Sequence, residues 1–169
     1  MTLTVRHPLM TEEEKQSAFQ TLSSHNWERC VTLTTKRNHE LSEVVEFLKH
    51  FIRRIDGMNQ KSSLYWLGLS GEEFDRFDKE NTKNGITRRL HVHGVMANVE
   101  QLTNDDISKC WRSVPVIRRH RSDDIEITFT NRLGFDKVVW YNQNPDWLWY
   151  TLHQTRRGEI FTNVGEDRE

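Results

Sequence analysis

Apolar residues recur along this chain with two different periods, and each change of period marks a new element. Leu41, Val44, Val45, Leu48, Phe51, Ile52 and Ile55 follow the i, i+3, i+4, i+7 pattern of one helix face, with Gly57 as the expected stop. Thr11-Glu12-Glu13-Glu14 has capping-box spacing, and Ala18, Phe19 and Leu22 continue it as a shorter helix over 11–24. Thr103-Asn104-Asp105-Asp106 caps a third helix that carries Ile107, Cys110 and Trp111. Asn144 as N-cap and Pro145 at the first helical position open a fourth. Between these, residues 29–35, 63–69 and 88–97 read as strands. Ile125, Ile127 and Phe129 alternate as a fourth strand, and 137–141 form a candidate fifth after a turn at Gly134.

The order is strand, helix, strand, strand, helix, strand, with a helix added at each end. It predicts an α+β, ferredoxin-like βαββαβ fold: an antiparallel sheet with helices on one face. No repeat or low-complexity linker interrupts the pattern. The expectation is one domain over 1–169, with its core at 29–157 and a tail over 158–169 that is either flexible or only loosely docked.

Composition narrows the classes without choosing among them. A chain of 169 residues can bury one proper core but cannot hold a nuclease and a helicase domain together. No apolar run approaches the roughly 18 residues of a membrane helix, and the first residues lack a signal-peptide core. Cys30 and Cys110 lack metal-finger spacing and are expected as buried thiols in a reducing cytoplasm. The net charge of −1 argues against a protein that coats nucleic acid indiscriminately. Charge is nonetheless uneven. Arg88-Arg89 precede the 91–93 segment, Arg112 and Arg118-Arg119-His120-Arg121 form a basic cluster, and Arg156-Arg157 follow the last helix. A basic groove that tracks a short single strand would suffice.

The candidate chemistry lies in Leu90-His91-Val92-His93-Gly94. Side chains alternate along a strand, so both histidines share a face while Val92 points into the opposite layer. Two imidazoles roughly 7 Å apart along a strand can converge on one divalent ion. On the last helix, Leu148, Thr151, Leu152 and Thr155 project to one side, and Tyr150, His153, Gln154 and Arg157 to the other. A tyrosine on a polar helix face is poorly explained by packing. Beside a metal, its phenolate could attack phosphorus while the ion polarises a phosphate oxygen.

Leu-His-Val-His-Gly, a downstream helical tyrosine, and Cys30-Val31-Thr32-Leu33-Thr34-Thr35 near the start resemble, in that order, the HUH (His-hydrophobe-His) single-strand DNA endonucleases. The chain is most similar to their rolling-circle replication initiators, across about residues 29–157. The resemblance implies a Mn²⁺- or Mg²⁺-dependent, site-specific nickase and ligase that forms a 5′-phosphotyrosine intermediate and starts replication of a plasmid or phage. It implies single-stranded or hairpin DNA as partner, with a host helicase as a further one, in a bacterial or mobile-element setting. Tyr150 would be the nucleophile and His91 and His93 metal ligands. Arg88, Arg89, Trp149, Arg157, Thr32 and Thr34 would line the DNA.

Two departures leave alternatives open. Initiators typically show Tyr-x-x-Lys, whereas this chain has His153 at that position, so His153 or Arg157 must supply the charge beside the phosphate. Tyr150 with Gln154 is similar instead to the Tyr-x-x-x-Gln of single-tyrosine transposases, where the glutamine is a metal ligand. Initiators draw the third ligand from an acidic residue before the histidine strand, here Glu72 or Glu73, and the initiator-like segments favour that choice. A non-catalytic nucleic-acid-binding domain, whose histidines merely pack, is the competing class. Histidine-triad hydrolases and two-histidine phosphoesterases need histidines that this chain lacks. The remaining histidines, His7, His25, His39, His50 and His120, have no paired spacing and are expected at the surface.

Overall fold

The computed structural model describes residues 8–35, 39–71, 90–119, 125–129, 136–142, 145–156 and 159–165. Four helices form among them: α1 Glu12–Ser23, α2 Leu41–Asn59, α3 Asn104–Arg112 and α4 Pro145–Gln154. The strands are β1 Arg29–Leu33, β2 Leu64–Ser70, β3 His91–Ala97, β4 Pro115–Arg119, β5 Ile125–Phe129, β6 Asp136–Trp140 and β7 Ile160–Thr162. Five of them build one antiparallel sheet in the order β6-β1-β3-β2-β7. The protein is therefore α+β.

Local chemistry sets the helix ends. Thr11 Oγ1 accepts the Glu14 N–H while the Glu14 carboxylate accepts the Thr11 N–H, and Thr103 and Asp106 repeat the exchange at α3. Helix α2 continues through Gly57 and stops at Gln60, whose φ of 58° is left-handed. Tertiary bonds explain why glycine is not the stop. Asn59 Nδ2 donates to the Asn98 carbonyl at 2.5 Å, and Asp56 Oδ1 accepts from both the Ser63 amide and hydroxyl at 2.8 Å. They hold the last turn in helical form past the residue that would otherwise release it.

Both faces of the sheet are covered: α2 and α3 share one face, and the added terminal helices α1 and α4 lie on the other. Val31, Leu33, Leu67, Leu69, Val92 and Met96 face α2 and α3 and form the larger core with Phe51, Ile55, Ile107 and Trp111. The alternate positions Cys30, Trp66, Val95 and Ala97 are also apolar, and Leu22 of α1 with Leu148 and Leu152 of α4 cover them. A sheet apolar on both sides at one end needs helices on both sides. Both cysteines are buried thiols, as expected, and burial pushes Cys30 up to about 12.

Strand order brings a correction. The 125–129 strand forms, but it pairs along its length with β4, from Pro115 opposite Phe129 to Arg119 opposite Ile125. The edge of β1 is taken by β6, so the candidate fifth strand is the one that completes the sheet. Alternation signals a strand and does not name its partner. The tail expectation also fails over residues 160–162, because β7 joins β2. There Thr162 Oγ1 donates to the Tyr65 carbonyl at 2.8 Å, Asn163 Oδ1 accepts the Tyr65 N–H at 2.9 Å, and Phe161 stacks on Tyr65. His39 is buried rather than exposed, 2.6 Å from Glu43 Oε2. Among the described residues no helix is long and apolar enough to cross a membrane.

Candidate active site

Register lays the polar positions in rows across the sheet. Thr32 stands opposite both His93 and Lys137, and His93 opposite Gly68, so Lys137, Thr32, His93 and Gly68 form one row. His91, opposite Ser70, begins the next row on the same face. The two imidazoles meet edge to face, with Nε2 to Nε2 at 3.0 Å. Thr32 Oγ1 lies 3.2 Å from His93 Nδ1. His93 is buried, and its pKa falls from 6.5 to about 4, chiefly because burial disfavours the cation and secondarily because His91 is close. It is neutral at pH 7, with an imidazole nitrogen able to act as a ligand.

Helix α4 is seated on this face by three contacts besides its two leucines. Trp147 Nε1 donates to the Gly94 carbonyl at 3.0 Å, and Ser70 Oγ donates to the Gln154 carbonyl at 2.9 Å. The third is a missing side chain. A Cβ on Gly68 would stand 2.1 Å from Thr155 Oγ1, so only glycine lets the end of the helix lie this close. So held, the Tyr150 ring rests on His93 with centroids 5.2 Å apart and planes at 72°, and Trp147 packs against both rings. Tyr150 is 46% exposed, whereas Tyr141 is 6% exposed and Tyr65 lies under Phe161 against the other core. Of the three tyrosines, Tyr150 alone joins an exposed ring to the histidine pair.

No protein-family model, curated protein or solved structure matches this chain. What the site can do follows from its own groups.

Two nitrogens about 2.1 Å from one ion and at right angles to each other stand about 3 Å apart, the spacing of the His91 and His93 Nε2 atoms. The pair therefore fits a divalent ion, though no group of three His, Cys, Asp or Glu gathers there among the described residues. Glu72 and Glu73 lie outside the described residues, as do Arg88, Arg89 and Arg157. Gln154 is near, since its carbonyl is tied to Ser70, the strand partner of His91. His153 turns toward α1, where its Nδ1 lies 2.8 Å from Lys15 Nζ. Trp149 stacks on Phe19 at 4.4 Å, so one of its faces is already used in packing. Thr34 contributes its carbonyl to Trp111 Nε1 in the other layer at 2.8 Å, while Thr32 stays beside His93.

Beside the pair a pocket of about 230 Å³ opens over β1 and β6, lined by Cys30, Thr32, Lys137, Val139, Trp140, Tyr141 and Trp147. Sequence reasoning missed Lys137, Ser70 and the contact of Trp147 with His93. Lys137 and Ser70 become visible only once register pairs them with Thr32 and His91.

Proposed function

We propose that the protein is a metal-dependent nickase and ligase of single-stranded DNA that acts through Tyr150. The observation that carries this reading is the exposed Tyr150 ring set against a neutral, buried member of a convergent imidazole pair. The strand order β6-β1-β3-β2, with α2 and α3 as crossovers, supports a ferredoxin-like scaffold for it.

The Tyr150 phenolate oxygen attacks phosphorus. A tyrosine–phosphate bond forms, the bond from phosphorus to the 3′-oxygen breaks, and that oxygen leaves and takes up a proton. The reverse reaction rejoins the strand. A divalent ion held by His91 and His93 would withdraw charge from the scissile phosphate. Gln154, Glu72 and Glu73 are the candidates for a further donor. The strand enters over β1 and β6, where Lys137 offers a cation to the backbone. The pocket there is smaller than the roughly 300–1,000 Å³ of drug-sized sites and suits a single flat ring such as a base.

Initiation of rolling-circle replication is the role we favour, on the sequence segments. Transposition is the second reading, favoured by the placement of Gln154 beside the partner of His91. Incubation with a pool of single-stranded oligonucleotides and Mn²⁺ should give covalent adducts on a denaturing gel. His91→Ala and His93→Ala should lose them while remaining folded. Undiminished adducts in excess chelator would remove the metal from the reading. No adduct with any oligonucleotide would leave a binding domain whose two histidines share a hydrogen bond.

A further inference from the structure

Lys15 is a lysine with 9% exposure that the reading above does not use. Its ammonium lies 2.9 Å from Glu12 Oε1 and 2.8 Å from His153 Nδ1. An ammonium has three donors and no acceptor, so Nδ1 must accept, and the proton of the neutral ring sits on Nε2. The ring plane is also constrained. Trp149 stacks on His153 with planes 28° apart, and Phe19 of α1 stacks on Trp149. Helix α1 thus sets both the tautomer and the orientation of a ring that is exposed one helical turn from Tyr150.

We propose that Lys15 is a positioning residue for strand transfer, acting through His153. It fixes His153 as an Nε2–H donor to a non-bridging phosphate oxygen of the bound single strand, with a cation bonded to the far side of the ring. This role rests on Tyr150 being the nucleophile. No proton leaves His153. The bond changes are those of the transfer itself, and the ring contributes a hydrogen bond to an oxygen on which negative charge is spread. The ammonium polarises the imidazole and strengthens that donor. His93 cannot take this part, being enclosed by Thr32, Trp147 and Tyr150 and already directed at His91.

The test uses the full chain with ¹⁵N-labelled histidine. At neutral pH the His153 imidazole should show the Nε2–H pattern in its nitrogen shifts. In Lys15→Met the two tautomers should mix, and the rate of adduct formation at saturating oligonucleotide should fall about tenfold, the scale of one hydrogen bond to a charged group. Lys15→Arg, also a pure donor, should restore the Nε2–H pattern and most of the rate. Lys15→Met added to His153→Gln should cost nothing further, because the two residues act as one unit. An Nδ1–H ring in the parent protein overturns the proposal without any variant. So does an unchanged tautomer or rate in Lys15→Met, or a second tenfold loss in the His153→Gln background. If the parent protein forms no adducts, the transfer role falls together with the nickase reading. Adducts that persist alongside an Nδ1–H ring overturn the role of Lys15 alone.

Discussion

The same strands serve both faces of the sheet, yet the two faces are built differently. Toward α2 and α3, β1, β2 and β3 present Val31, Leu33, Leu67, Leu69, Val92 and Met96, all buried and apolar. Toward α4 the alternate positions include Thr32, Gly68, Ser70, His91 and His93, with apolar residues kept to Cys30, Trp66, Val95 and Ala97. The first face fixes the strands in place. That stability allows the second face to hold a neutral imidazole out of water, an arrangement with a cost of its own. The candidate chemistry sits on the alternate register of a core.

The sharpest break in this comparison is Tyr150→Phe. Losing the attacking oxygen should abolish adduct formation, by about four orders of magnitude or more, while the ring still packs on His93 and the protein stays folded. Adducts that persist in this variant and vanish in Tyr141→Phe would move the nucleophile to a residue now counted as core. On the other face, Phe51→Ala empties a fully buried site against Trp111 and should destabilise by about 3–5 kcal/mol in urea titration. A loss below about 1 kcal/mol would mean that the larger core is not what holds the sheet.

His93 links the two faces through pH. Its folded pKa of about 4 lies below the ordinary 6.5, so between those values the unfolded chain binds a proton that the folded chain refuses. Stability should then fall as pH drops from about 6.5 toward 4 and level off below, by about 3 kcal/mol in all. Urea unfolding in chelator at several pH values measures the slope, and His93→Gln should flatten it. A slope that survives the substitution would point to another group. The smallest effect is steric. Gly68→Ala drives a methyl into Thr155 and should cost about 1–3 kcal/mol, and Thr155→Ala in the same chain should recover most of it. Additive losses would show that the end of α4 is not seated by that gap.

These experiments also mark what the sequence made legible. Periodicity was enough for α2, and capping chemistry for α1 and α3, because both are local. The shared face of His91 and His93 followed from alternation alone. What stayed hidden depends on partners distant in the chain. Nothing near Lys137 announces that it will stand beside Thr32, and nothing near 125–129 says that Pro115–Arg119 will claim it. Ile160, Phe161 and Thr162 are too short a run to show an alternation, and their place in the sheet comes from pairing with β2 and from the hydrogen bonds and ring stacking at Tyr65. His39 is buried because its ring pairs with Glu43 and meets the edge of Phe47.

The contact between His93 and Tyr150 has a consequence in time. A chain leaving the ribosome as far as Ala97 carries both imidazoles but not the helix that bears the tyrosine. The inner strand β1 still lacks its edge neighbour β6 at that stage, and α1 has no α4 to clasp. Synthesis runs at about 5–20 residues per second. The stretch from 97 to 154 therefore separates a half-built site from a whole one by several seconds at least. A nascent or C-terminally truncated chain would lack the assembled contact of Tyr150 with His93. Under the nickase reading proposed above, breakage of DNA would be confined to molecules whose translation has passed the last helix.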